Sequence, residues 1–115
     1  MTQIDVSQIL NPDGITINET TVQNMVYFYG VGSFFNSPFA GGAVNGKSGF
    51  NATEWVQFQI QLQQICMQYS NSSIPMIYGL DSVHGANYVY GAAMFPQVNL
   101  SSDKLCHDPA KNAKI

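Results

Sequence analysis

The stretch Ile74–Gln97, IPMIYGLDSVHGANYVYGAAMFPQ, decides how the rest of the chain is read. It opens with Ile74-Pro75-Met76-Ile77-Tyr78, a run that is apolar on both alternating faces. A strand of that kind is expected to be buried on both sides, as in the parallel sheet of an α/β protein. Gly79 ends the run, and Asp81 and His84 stand just beyond it. In parallel α/β architectures ligands bind at the carboxyl ends of strands, where loops carry polar side chains over a packed core. Asp81 therefore sits where a substrate-binding carboxylate would stand.

Upstream of this strand lies the clearest helical pattern. Trp55, Phe58, Leu62, Ile65, Cys66 and Tyr69 recur at offsets 0, 3, 7, 10, 11 and 14, one face for docking on a sheet. Glutamines fill most of the remaining positions, and Asn51 or Thr53 is the candidate cap. An earlier helix is predicted from Asn18, with Val22, Met25, Val26 and Tyr29 as its stripe and Gly30 closing it. Short strands are predicted at Thr2–Val6 and Val31–Phe35, with a turn at Asn11-Pro12-Asp13-Gly14. Ser37–Phe50, rich in Gly, Ser and Asn, reads as a surface connection or a loop at an active-site rim. Strand, helix and strand in this order form a βαβ unit, for which a right-handed crossover is expected.

Composition narrows the function classes. The 115 residues make one domain at most, well short of the roughly 250 of a complete eight-unit barrel. The chain has four lysines, no arginine and a net charge of −3, which argues against nucleic acid as a partner. No window approaches the roughly 18–20 apolar residues of a membrane span, and no signal peptide is visible. Two cysteines are too few for a disulfide framework. Cys66 on the helix face is expected to pack as a small apolar group, with pairing to Cys106 left open. No Cys/His spacing resembles a zinc site. Asn-x-Ser/Thr sequons at Asn18, Asn51, Asn71 and Asn99 suit a secreted protein.

The segment Gly79–Gly85, GLDSVHG, followed by Asn87–Pro96, NYVYGAAMFP, resembles the early strand-and-loop signature of glycoside hydrolase family 3, the β-glucosidase and exo-glucanase family. TQID at Thr2–Asp5, VGSFFNSP at Val31–Pro38 and NATEW at Asn51–Trp55 fit the same family in the expected order. The resemblance implies an α/β fold made of the opening β/α units of a TIM-type (β/α)8 barrel, incomplete in this chain. It divides the chain into a partial barrel domain, 1–97, and a divergent tail, 98–115, expected to be disordered. It also implies a chain that starts later than family members do, and extracellular placement of the complete protein.

The implied chemistry is retaining hydrolysis of terminal β-linked glucose without metal or organic cofactor, with a β-glucoside or β-glucan oligosaccharide as the partner. Such enzymes need two carboxyl groups about 5–5.5 Å apart across the scissile bond. In the family these come from later segments, so no catalytic residue is assigned here and the chain alone is expected to be inactive. Asp81 matches the carboxylate that accepts hydrogen bonds from sugar hydroxyls, for which an ionised acceptor is well suited. Without the resemblance, Asp81 would read as a brace on the strand end. His84 is the second candidate contact, although a histidine there equally braces the loop. Asp5 and Glu54 do not read as a catalytic pair, because Glu54 falls in a helix's first turn, where it complements the helix dipole. Ser82 and His84 lack the orienting carboxylate of a hydrolytic dyad. The alternative is a non-catalytic sugar-binding protein, or an interaction protein that adds a strand to another chain's sheet.

Overall fold

Two asparagine caps fix where the helices begin. In the computed structural model, which describes residues 2–82 and 88–92, Asn18 precedes helix α1, Glu19–Tyr29, and its Oδ1 accepts from the Thr21 N–H at 3.1 Å. Asn51 precedes helix α2, Ala52–Tyr69, within a capping box. Its Oδ1 accepts from the Glu54 N–H at 2.9 Å, and the Glu54 carboxylate accepts from the Asn51 N–H at 2.9 Å. Reciprocal pairs of this kind satisfy orphan donors of the first turn. Gly30 closes α1 at φ 62°, a left-handed conformation that costs glycine nothing sterically.

Three strands complete the unit: β1, Thr2–Asp5; β2, Val31–Phe35; and β3, Ile77–Gly79. They form one parallel sheet in the order β1-β2-β3, each joined to the next through a helix. The expected βαβ unit is present, preceded by a second. A short 3-10 helix, Val6–Ile9, follows β1 and buries Val6 and Ile9. The expected strand Thr2–Val6 therefore ends one residue early, at Asp5, whose side chain accepts from the Ser7 N–H and starts that turn. The β2 span agrees with the sequence reading residue for residue.

Register assigns the two faces of the sheet. Ile4, Phe34 and Tyr78 align in one row, and Tyr78 meets Trp55 and Phe58 of α2 at ring-centroid distances of 6.2 and 6.4 Å. Alternation then puts Gln3, Asp5, Ser33, Phe35 and Ile77 on the other face. The core lies on the helix side, with Val22 and Val26 of α1 and Trp55, Phe58, Leu62, Ile65 and Cys66 of α2 buried.

Three expectations need correction. The apolar run Ile74–Tyr78 is not a strand buried on both faces: pairing begins only at Ile77, and Ile77 is 56% exposed and Ile74 64%. Pro75 has no N–H to give a ladder, and Ser73 before it takes φ 53°, so the chain reaches sheet geometry late. Ile77 points to the helix-free face, where no described element covers it. Tyr29 is 70% exposed although it completes the expected stripe: the helix ends at Gly30, and its last three residues, Tyr27, Phe28 and Tyr29, all stand exposed. The Ser37–Phe50 loop is also no free connection. Phe39 and Phe50 are buried, 5.0 Å apart edge to face, and Phe50 stacks onward to Trp55 at 5.4 Å.

The asymmetry gives a test. Leu62→Ala, at a fully buried site under α2, is expected to lower stability by about 3 kcal/mol. Phe28→Ala, on the exposed end of α1, should change it by less than about 0.5 kcal/mol. Urea unfolding followed through Trp55, the single tryptophan, measures both.

Candidate functional site

The carboxyl ends of the three strands gather the polar groups of interest. Asp5 is the last residue of β1, Asn36 follows β2, and Asp81 stands two residues past Gly79 at the end of β3. This is the end at which parallel α/β sheets bind ligands. Asp81 is exposed, and among the described residues its carboxylate makes no hydrogen bond. His84 lies outside the described residues, so the two candidates are not brought together here.

The segment that carries Asp81 is anchored on either side. Before it, the Asn36 N–H donates to the Gly79 carbonyl at 3.0 Å, and the Tyr78 hydroxyl donates to the Asn36 carbonyl at 2.5 Å. Burial, and after it the nearby Asp5 charge, push the Tyr78 phenol up, so it stays protonated and a donor. After it, the Trp55 indole N–H donates to the Tyr88 carbonyl at 2.9 Å, and the Tyr90 N–H to the Phe50 carbonyl at 2.6 Å. Val89 makes a parallel bridge with Phe50. The aromatic amino end of α2 therefore holds both β3 and the chain returning from it.

The other described carboxylates are occupied. The Asp5 side chain accepts from the Ser7 N–H at 2.8 Å and from Asn36 Nδ2 at 2.9 Å. Burial pushes its pKa upward, but these hydrogen bonds outweigh burial and hold it below the ordinary aspartate value. Asp13 organises its own turn, accepting from the Ile15 and Thr16 N–H groups and the Thr16 hydroxyl. Glu54 belongs to the capping box and pairs with Lys47, and both contacts keep it ionised. Asp5 and Glu54 are thus structural, Glu54 in a helix's first turn as its sequence position implied. Among the described residues no three His, Cys, Asp or Glu side chains converge.

Sequence reasoning missed Asn36 and the Trp55 indole. The signal for Asn36 was available: Asn-Ser-Pro directly after a strand is turn chemistry, and asparagine tolerates positive φ. Trp55 was recognised as core, but its N–H bond spans 33 residues and has no local signature. A cavity of about 360 Å³ opens at the opposite, amino end of the strands, between Val26, Val31, Cys66, Ile74 and Met76. Its walls are mostly apolar. Cys66 there is buried, as expected, and burial pushes its thiol up to about 11. It is therefore an apolar packing group rather than a nucleophile. Pairing with Cys106 concerns a residue outside the described ones.

No family model matches the chain. Over 96 residues, 84% of its length, it is 46% identical to the lysosomal beta glucosidase of Dictyostelium discoideum, and the match spans 12% of that protein. The chain is thus β-glucosidase-like in sequence and corresponds to a small part of a much longer relative.

The carboxylate network predicts acid sensitivity. Asp5, Asp13 and Glu54 all have folded-state pKa values below their ordinary ones. The unfolded chain then binds more protons, so stability is fully present above about pH 5 and is lost as pH falls through the folded values. Urea midpoints between about pH 6 and 2 should fall on acidification, and Asp5→Asn should flatten that slope. An unchanged slope in the variant would remove Asp5 from the network.

Proposed function

We propose that this chain is part of a glycoside hydrolase family 3 barrel, contributing its opening β/α units and one sugar contact, Asp81. The observation that carries this reading is an exposed carboxylate, bonded to no described residue, just past the third parallel strand, in a chain 46% identical to a β-glucosidase over 96 residues. The substrate class is a terminal β-linked glucoside. Asp81 accepts hydrogen bonds from hydroxyls of the sugar ring, and its charge strengthens them. His84 is the second contact of the same subsite. Hydrolysis with retention needs a nucleophile and an acid/base carboxyl facing each other across the bond. Of the described carboxylates, Asp5, Asp13 and Glu54 are committed to structure, and Glu19 lies in the first turn of α1. The family's catalytic pair comes from later segments, so these residues supply binding without bond cleavage.

The barrel reading is supported by the two faces of the sheet. One is covered by α1 and α2. The other, with Gln3, Asp5, Ser33, Phe35 and Ile77, is covered by neither helix α1 nor α2, as the inner wall of a barrel is left by its own helices. α2 leaves Val56, Ile60 and Met67 exposed, with Ile60 lining a shallow groove beside Met76 and Tyr78, which suits docking of a further β/α unit. A second reading, an interaction protein that adds a strand to a relative's sheet, is favoured by β3 pairing with β2 alone among the described residues. A route through the secretory pathway fits the relative's lysosomal name and the exposed sequon Asn71. Among the described residues no helix is long and apolar enough to cross a membrane.

The purified 115-residue chain is expected to release no chromophore from an aryl β-glucoside. D-glucose should shift the backbone amide resonances around Asp81 saturably, and Asp81→Ala should abolish the shift. Robust hydrolysis by the chain alone would refute the binding-only role. A glucose response indifferent to Asp81→Ala would refute the sugar contact.

A further inference from the structure

Asn36 is backbone-strained and fully bonded. It is a non-glycine residue at φ 81°, a conformation that costs roughly 1 kcal/mol or more unless its surroundings hold it. Each of its polar groups is engaged. Its N–H donates to the Gly79 carbonyl at 3.0 Å, and its own carbonyl accepts from the Tyr78 hydroxyl at 2.5 Å. Its Nδ2 donates to Asp5 Oδ2 at 2.9 Å, and its Oδ1 accepts from the Ser37 N–H at 2.9 Å. One residue thus joins the carboxyl ends of β1, β2 and β3, its side chain reaching Asp5 and its backbone holding Gly79 and Tyr78. Asp81 lies two positions past Gly79, a reach of at most about 7 Å between their Cα atoms. Holding the Gly79 carbonyl therefore confines the Asp81 carboxylate to a small region.

We propose that Asn36 is a positioning residue that ties the end of β3 to the Asp5 carboxylate and thereby fixes where Asp81 stands. The inference rests on Asp81 as the sugar contact, but the tie itself can be measured without sugar. Asp5 is the acid partner in the tie. The groups that meet its carboxylate are Asn36 Nδ2 and the Ser7 N–H, with the neutral Tyr78 phenol nearby; the described ion pair, Lys47–Glu54, involves neither Asp5 nor Asn36.

Three variants separate the contributions. Asn36→Gly keeps positive φ without strain and removes both side-chain bonds. Asn36→Ala removes the bonds and adds strain. Asn36→Asp tolerates the backbone and keeps the acceptor for Ser37, but turns an oxygen toward Asp5 Oδ2 where a donor stood. Two carboxylates at that separation share a proton. The readout is amide hydrogen exchange of the chain, as protection relative to the intrinsic rate at each pH. At neutral pH, Asn36→Gly should lower protection at Asn36 and around Gly79–Asp81 by about tenfold, while Leu62 and Ile65 in α2 stay protected. The pH response carries the sharper signature. In the native chain the tie is present with Asp5 ionised and weakens as pH falls through its lowered pKa. In Asn36→Asp it is weak at neutral pH and tightens as pH falls and one proton enters the pair, a dependence of opposite sign.

The proposal is overturned if Asn36→Gly leaves the Gly79–Asp81 amides within about twofold of native, or if α2 loosens equally. It is also overturned if Asn36→Asp follows the native direction of pH dependence. Glucose titration of the same samples is read separately. If Asp81→Ala abolishes the glucose response, Asn36→Gly is expected to weaken glucose binding about fivefold, and unchanged affinity would contradict a positioning role toward the sugar. If glucose gives no response in the native chain, the sugar reading fails while the exchange data still decide the tie.

Discussion

The indole of Trp55 is the point on which the rest of the structure depends. Its ring packs edge to face against Phe50 and Phe58, at 5.4 and 5.9 Å, and reaches Tyr78 of β3 at 6.2 Å. Its N–H holds the Tyr88 carbonyl. One side chain thereby joins α2, the loop ending at Phe50, the last strand and the chain that returns past the candidate site. Aromatic pairs of this geometry add roughly 0.5–1.5 kcal/mol each beyond burial, and they fix direction as well as depth. Trp55 lies one residue past the Asn51–Glu54 capping box, so the start of α2 and the placement of the cluster are set together.

A division of labour between the two ends of the sheet follows. The amino ends of the strands meet apolar walls, with Val31, Cys66 and Met76 around a cavity. The carboxyl ends gather Asp5, Asn36 and Asp81, with a strained asparagine bonded to the Asp5 carboxylate. The polar groups at the carboxyl end are satisfied by hydrogen bonds between neighbouring strand ends, as from Asn36 to Asp5 and to Gly79. The glutamine-rich outer face of α2 reflects the same economy of charge, being polar without ion pairs that would need partners.

Much of this was legible in the sequence because it is local. The helices follow from Asn18, Asn51 and the stripe from Trp55 to Tyr69, all within a few turns of one another. β2 follows from a short apolar run between Gly30 and Asn36. The faces of β3 were not legible: Ile74, Met76 and Ile77 are equally apolar, and nothing local says that Pro75 delays pairing or that Ile77 faces away from the helices. The burial of Phe39 and Phe50 escaped for lack of periodicity in a glycine-rich loop. The place of Asp81, just past a strand end, was read correctly from Gly79. The anchoring around it was not, since the bonds from Asn36 to Asp5 and from Tyr78 to Asn36 span 31 and 42 residues.

The central claim is that these residues form the opening β/α units of a β-glucosidase barrel in which Asp81 holds the sugar. The most direct measurement replaces the 96 matched residues of the Dictyostelium relative with those of this chain and assays the chimera for β-glucoside hydrolysis. The account predicts an active chimera whose activity falls about a hundredfold or more on Asp81→Ala, as loss of a charged hydrogen-bond acceptor strengthened in the transition state would cause. A chimera that folds and is secreted normally but is inactive, or one indifferent to Asp81→Ala, would contradict it.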